Sequence, residues 1–159
     1  MIRIEPYQPA DLPAVRAFVE AIQEHERARV PELKPGREIC TSYAAMLLDQ
    51  VAGRNGAILM ARTGAQTIGF VCAWLAQDAD PLLSDAARAH AYVSDLFVLE
   101  SHRRQGVARL LLTRIEQEMR RRGCQRIRIV SKASNLIALA CYEAAGYRPY
   151  EVILSKPLD

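Results

Sequence analysis

Between residues 92 and 122 the sequence changes periodicity once, and that change limits the fold more than any other feature. Tyr92 to Leu99 reads as a strand. Glu100 to Gln105 is a short, basic loop that ends at Gly106. Beyond it, Val107, Leu111, Ile115 and Met119 recur every four residues, which predicts a long amphipathic helix from about Gly106 to Arg122. Arg120, Arg121 and Arg122 suit the negative end of that helix, and Gly123 suits the position just past it. A strand feeding a helix through a glycine-ended loop can cradle an anion. The first helical amides have no intrahelical acceptor, and the helix dipole favours negative charge there. Gly106 would let a phosphate approach the backbone, Ala108 has little side chain to block it, and Arg103 and Arg104 add charge at the rim. The same pattern also fits a plain strand–loop–helix with solvated arginines. It is neither a P-loop, which ends in Gly-Lys-Ser/Thr, nor G-x-G-x-x-G.

Charge supports an anionic ligand. Residues 1–100 carry nine basic and thirteen acidic residues, a net of −4; residues 101–159 carry twelve basic and five acidic, a net of +7. The whole-chain excess is only +3, which argues against a strongly basic nucleic-acid binder. Few aromatics interleave Arg120 to Arg122, Arg126 and Arg128, so a stacking platform for nucleic acid ranks low. No apolar run reaches the ~20 residues of a membrane helix, and Met1 to Glu5 alternates like a strand rather than a signal peptide. Cys40, Cys72, Cys124 and Cys141 form no C-x-x-C pair, and His25, His90 and His102 have no metal-ligand spacing. The expectation is a cytoplasmic chain with incidental thiols and no metal.

The 159 residues fit a single domain over 1–159. Ile2–Tyr7 is a short strand. Asp11 opens a helix with Pro13 in its first turn, and Val15, Phe18, Val19 and Ile22 form its apolar face. Residues 24–37, with Pro31, Pro35 and Gly36, read as a loop or a broken helix. Ile39–Val51 is helical, with Tyr43, Met46, Leu47 and Val51 on one side. Ala57–Thr63 and Thr67–Leu75 form a hairpin around Gly64-Ala65-Gln66. Arg126–Val130 is a strand, a short helix runs from Ser134 or Asn135 to Gly146, and Tyr150–Leu154 closes the chain as a strand. The order β-α-α-β-β-β-α-β-α-β predicts an α/β (α+β) fold, a mixed and mostly antiparallel sheet flanked by helices.

Two stretches together resemble a known family. Arg103-Arg104-Gln105-Gly106-Val107-Ala108 is similar to the Arg/Gln-x-x-Gly-x-Gly/Ala signature of the GCN5-related N-acetyltransferases. Downstream, Asn135, Ala138, Tyr142, Gly146 and Tyr147 match that family's closing pattern. Ile68-Gly69-Phe70 and Asp95-Leu96-Phe97-Val98 look like two of its strands. The resemblance covers nearly the whole chain and implies a GNAT-like sheet whose central strand splays from the next. It also implies acetyl-CoA as cosubstrate. Leu96, Phe97 and Val98 would meet its pantetheine arm through main-chain atoms. Arg103, Arg104, Gln105, Gly106, Val107 and Ala108, with Arg109, would hold its pyrophosphate, and Asn135 and Ala138 would lie beside it.

The implied activity is acetyl transfer to a primary amine by direct attack. Asn135 and Tyr142 lie about two turns apart on one helical face. Asn135 can meet the cofactor or simply cap the helix. Tyr142 is a general acid for the leaving thiolate, or else a core aromatic beside Leu139 and Tyr147. The attacking amine must lose a proton, and several relatives carry a Glu where Ser94 stands. Asp95 is adjacent, but neighbours on a regular strand face opposite ways. Three alternatives stay open: a bulge turns Asp95 inward, Ser94 orders a water, or the base lies elsewhere. A strand amide, that of Val98, can stabilise the oxyanion. The acceptor, a small molecule or a peptide amine, would meet the acidic region containing Glu20, Glu24 and Glu26, unless that region is only a solvated surface. The family's habit of pairing through its sheet or C-terminal strands allows a homodimer. The competing reading is a non-catalytic module that binds and senses acyl-CoA.

Overall fold

The apolar runs pair in the order in which they occur. In the computed structural model, which describes residues 1–158, five strands form one sheet: β1 (Ile2–Pro6), β2 (Ala57–Thr63), β3 (Gln66–Gln77), β4 (Ala89–Val98) and β5 (Ile127–Ile129). The first three junctions are antiparallel; β4 and β5 are parallel, joined by a helical crossover. The helices are α1 (Leu12–Arg27), α2 (Gly36–Gly53), a single turn α3 (Asp85–Arg88), α4 (Val107–Arg121) and α5 (Leu136–Ala144). This is the mixed, mostly antiparallel α/β sheet expected from the residue pattern.

Helices cover both faces, which is why β2 and β3 read as continuous apolar runs rather than alternating ones. On one face α1 and α2 press Val15, Phe18, Val19, Ala44 and Leu47 onto Ile58, Met60, Phe70 and Trp74. On the other, the four-residue stripe of α4 (Val107, Leu111, Ile115, Met119) packs on Leu59, Ala61, Val71 and Val93. The close pairing of β3 with β4 needs Gly69: a β-carbon there would stand 2.4 Å from the Phe97 carbonyl oxygen.

Several boundaries differ from the sequence reading: β3 runs on to Gln77 rather than Leu75, and β4 begins at Ala89 rather than Tyr92. Helix α1 continues to Arg27, into the stretch expected to be a loop or a broken helix, because the breakers at Pro31 and Pro35 lie beyond it. Helix α2 begins at Gly36, directly after Pro35, rather than at Ile39; the Gly36 amide donates to Glu24 Oε1 at 2.5 Å. The closing strand over 150–154 does not form. The sheet ends at β5, which offers three residues, and no described strand pairs with its outer edge. Val152, Ile153 and Leu154 are exposed, and Tyr150 is held by the Arg128 guanidinium, 4.4 Å from its ring centroid.

Candidate active site

The site begins with one extra residue in β4. Cys72 lies opposite Asp95 and Ala73 opposite Val93, so Ser94 has no partner across the pair. This bulge reverses the alternation. Val93 faces the core under α4, as do Leu96 and Val98, whereas Tyr92 and Phe97 face α1 and α2. Asp95 takes the phase of Phe97 and meets Tyr43 of α2, whose hydroxyl donates to its Oδ2 at 3.2 Å. The bulge that was one of the three alternatives for this strand is present.

The same strand opens a gap. Its pairing with β5 ends at Val93↔Ile129, while β4 continues to Val98. The Leu99 amide donates to Ile68 O on the β3 side. By alternation, the amides of Leu96 and Val98 point the other way, into the gap. There the Val98 carbonyl accepts Arg103 Nε at 3.1 Å, which ties the following loop to the strand end.

Helix α4 starts at the far end of that gap. Gly106 precedes it at φ +82, with no side-chain cap, and a β-carbon there would meet nothing within 4 Å. Arg104 also has a positive φ, +59, which turns the loop tightly. The amides of Val107, Ala108 and Arg109 precede the first helical bond, Leu110 N to Gly106 O, and so have no intrahelical acceptor. Helix α5 forms the opposite wall. Its start is closed instead: Asn135 Oδ1 accepts the Ala138 amide at 3.2 Å.

A cavity of about 580 Å³ joins these parts. It is lined by Asp95 to Val98, by Arg103, Arg104 and Gly106 to Arg109, and by Asn135, Ala138 and Tyr142. Among the residues read as catalytic or cofactor-binding only Gln105 does not line it; its amide turns back to Ser101 O at 3.0 Å, and of the acids read for the acceptor Glu20 and Glu24 do not line it either. The walls also include residues not singled out for the site by sequence: Tyr43, Tyr92, His25 and Lys132. Tyr43 belongs to the apolar stripe of α2, and its spacing is that of a core aromatic. Glu26, counted before only as one of several acids, lines the cavity where α1 runs past its expected end.

Burial sets the electrostatics. Asp95 is pushed up to about 6, first by desolvation and further by the charge of Glu26; hydrogen bonds from Ser94 and Tyr43 oppose the shift. Tyr142 is pushed up to about 12, chiefly by burial, so its phenol keeps its proton at neutral pH. Its ring stands 6.1 Å from that of Tyr147, whose hydroxyl donates to Glu116 Oε1 at 2.9 Å and so ties the end of α5 to α4. His25 is lowered by burial and by the nearby Arg29 and Arg103. One end of the cavity thus carries carboxylates and phenols, and the start of α4 carries Arg103, Arg104 and Arg109; Lys132 also lines the cavity. Among the described residues no helix is long and apolar enough to cross a membrane, and no group of three or more His, Cys, Asp or Glu could hold a metal ion.

Known proteins share this fold. The chain is 42% identical over 66 residues to an acetyltransferase, Atu2258, of Agrobacterium fabrum (strain C58); the match covers 42% of this chain and about half (47%) of that relative. Among solved structures, the aminoglycoside N-acetyltransferase AAC(6')-Iy in complex with CoA superposes with a TM-score of 0.73 at 19% identity, over 99% of this chain and 95% of that one. A GCN5-related N-acetyltransferase from Ralstonia eutropha JMP134 gives a TM-score of 0.74 at 20% identity, over 99% of both chains. Residues 19–147, from the middle of α1 past the end of α5, match the acetyltransferase (GNAT) family, and the chain belongs to that family.

Proposed function

We propose that the protein transfers an acetyl group from acetyl-CoA to a primary amine, with Asp95 taking a proton from the amine and Tyr142 giving one to the departing thiolate. The observation that carries this reading is that Asp95 and Tyr142 line one cavity whose other end is the uncapped, basic start of α4.

The residues present fit CoA. The left-handed Gly106, with open space where a β-carbon would stand, leaves room for a pyrophosphate against the free amides of Val107 and Ala108. Arg104, Arg109 and Lys132 add positive charge around it. The unpaired amides of Leu96 and Val98 suit the amides of a pantetheine arm. Asn135 serves the site through helix α5, since its side-chain oxygen is already used as a cap. Acetyl-CoA supplies an activated acyl thioester with a good leaving group.

This chain's own groups do the rest. An alkylammonium has no lone pair, so the acceptor must lose a proton before it attacks. Asp95, held at about 6, is mostly ionised at pH 7.5 and remains basic enough to share that proton. Glu26 lines the same end of the cavity and draws a cationic acceptor in. The inward-pointing Val98 amide is placed to donate to a developing oxyanion. Tyr142, kept protonated by burial, holds its proton on Oη for the thiolate. The acceptor class is a small molecule or peptide bearing a primary amine.

Free-thiol release from acetyl-CoA with a panel of primary amines tests the reading. Turnover is expected with at least one amine. Tyr142→Phe is expected to lower kcat by about 10²-fold while leaving the CoA-induced rise in Tm intact. An equally fast Tyr142→Phe enzyme would remove the general acid. No Tm rise with CoA would remove the cofactor itself.

A further inference from the structure

We infer that Tyr43 is a positioning residue for the amine-accepting carboxylate: delivered by α2, its phenol occupies Asp95 Oδ2 and leaves Oδ1 for the acceptor. This rests on the reading of Asp95 as the base and adds a residue on a different element, which does not itself touch the reacting atoms.

The surroundings of Asp95 make its few donors decisive. The residue is 7% exposed yet lines the cavity. The groups that face it are Glu26 from α1, Tyr43 from α2, Cys72 from β3, Tyr92 and Ser94 from β4, and Tyr142 from α5. None of them is cationic. A buried carboxylate without a cation stays charged only if donors hold it. Ser94 and Tyr43 are the donors that oppose the burial of the charge; the Ser94 hydroxyl also reaches the Cys72 carbonyl at 3.5 Å, and the Tyr43 phenol holds Oδ2 at 3.2 Å. Burial and the charge of Asp95 also hold the Tyr43 proton far above the usual phenol range, so Tyr43 remains a donor at any working pH. The bond fixes the carboxylate's rotation, and it ties the base to the helix that walls the acceptor end of the cavity.

The test is the pH profile of kcat/KM with an amine that turns over. A base that must be ionised gives an acid limb: the rate falls as pH drops through its pKa. In Tyr43→Phe the ring is kept and the donor is lost. The acid limb is expected to move up by roughly half to one pH unit, with the plateau above it little changed and the CoA-induced Tm rise intact. A uniform fall in rate with an unmoved limb would show a packing role and overturn the inference. Should Tyr43→Phe fail to fold, difluorotyrosine placed at 43 keeps the hydroxyl as a stronger donor. Its limb should then move down, and an unmoved limb again overturns the inference. Asp95→Asn separates the two levels. If it keeps the wild-type rate and limb, the base reading fails and takes the role of Tyr43 with it. If it is slow while the Tyr43→Phe limb stays put, only the role of Tyr43 fails.

Discussion

The two ends of the cavity are built by different means. The basic end is mostly main chain: the amides that open α4, the inward amides of β4 and a glycine with no neighbour over its α-carbon. Its arginines, Arg103, Arg104 and Arg109, sit at the rim. The acidic end is mostly side chain: Asp95, Tyr43, Glu26 and Tyr142, brought by four different elements. A backbone site survives most substitutions, because every residue type carries an amide. A side-chain site changes whenever one residue does. The first arrangement suits a partner that never varies, and the second suits one that must be chosen.

Substitutions at each end put this contrast at risk. The largest effect is expected from Asp95→Asn, which should slow turnover by about 10²-fold or more and leave CoA binding unchanged. The same change should stabilise the protein at alkaline pH. Burial raises Asp95 from 3.8 to about 6 in the folded chain. Its contribution to stability is therefore whole below the unfolded value and lost as pH rises through the folded one. Above that, the ionised group costs at most ~3 kcal/mol. Thermal melts should show Asp95→Asn gaining on wild type at pH 8, with the gain shrinking towards pH 4. A variant equally destabilised at both would contradict the raised value.

Next in size is Gly106→Val. Its φ of +82 is strained for a branched residue, by roughly 1–3 kcal/mol, and the side chain would fill the phosphate space. CoA titration should show weaker binding by tenfold or more, measured on enzyme shown to be folded; undiminished affinity would refute the main-chain cradle. Asn135→Ala removes a helix cap and should cost about 1 kcal/mol, read as a Tm fall of about 2–4 °C, with CoA affinity moving little. A large loss of CoA affinity would instead make Asn135 a direct ligand. The smallest effect is expected from Arg104→Ala: an exposed rim charge should weaken CoA by only a few-fold, and less so at high salt.

The strand–loop–helix of residues 92–122 was legible from spacing because its burial is simple: one strand face and one helix stripe close a single core. Helix α5 was legible for the same reason at its stops, Asn135 and Gly146, the latter at φ +97. The bulge at Ser94 was visible only as one of several alternatives. A bulge is settled by the partner strand's register, and nothing local in Val93-Ser94-Asp95 demands it. Tyr43 was hidden by its own spacing, since an aromatic on an apolar stripe carries its hydroxyl to whatever the next element supplies. The missing strand over 150–154 has the pattern of a strand but no edge long enough to receive it. Pattern states what a segment can do; pairing depends on what lies beside it.

The unpaired Ser94 behaves like a one-letter insertion in a two-letter code. Ahead of it, odd-numbered β4 positions read into the α4 core; behind it, even-numbered ones do. Pairing Ser94 into a regular ladder would turn Leu96 and Val98 towards α1 and α2 and drive the Asp95 carboxylate into the apolar core under α4. The strand's chemistry and its packing are thus locked to the same count, and neither can drift without the other.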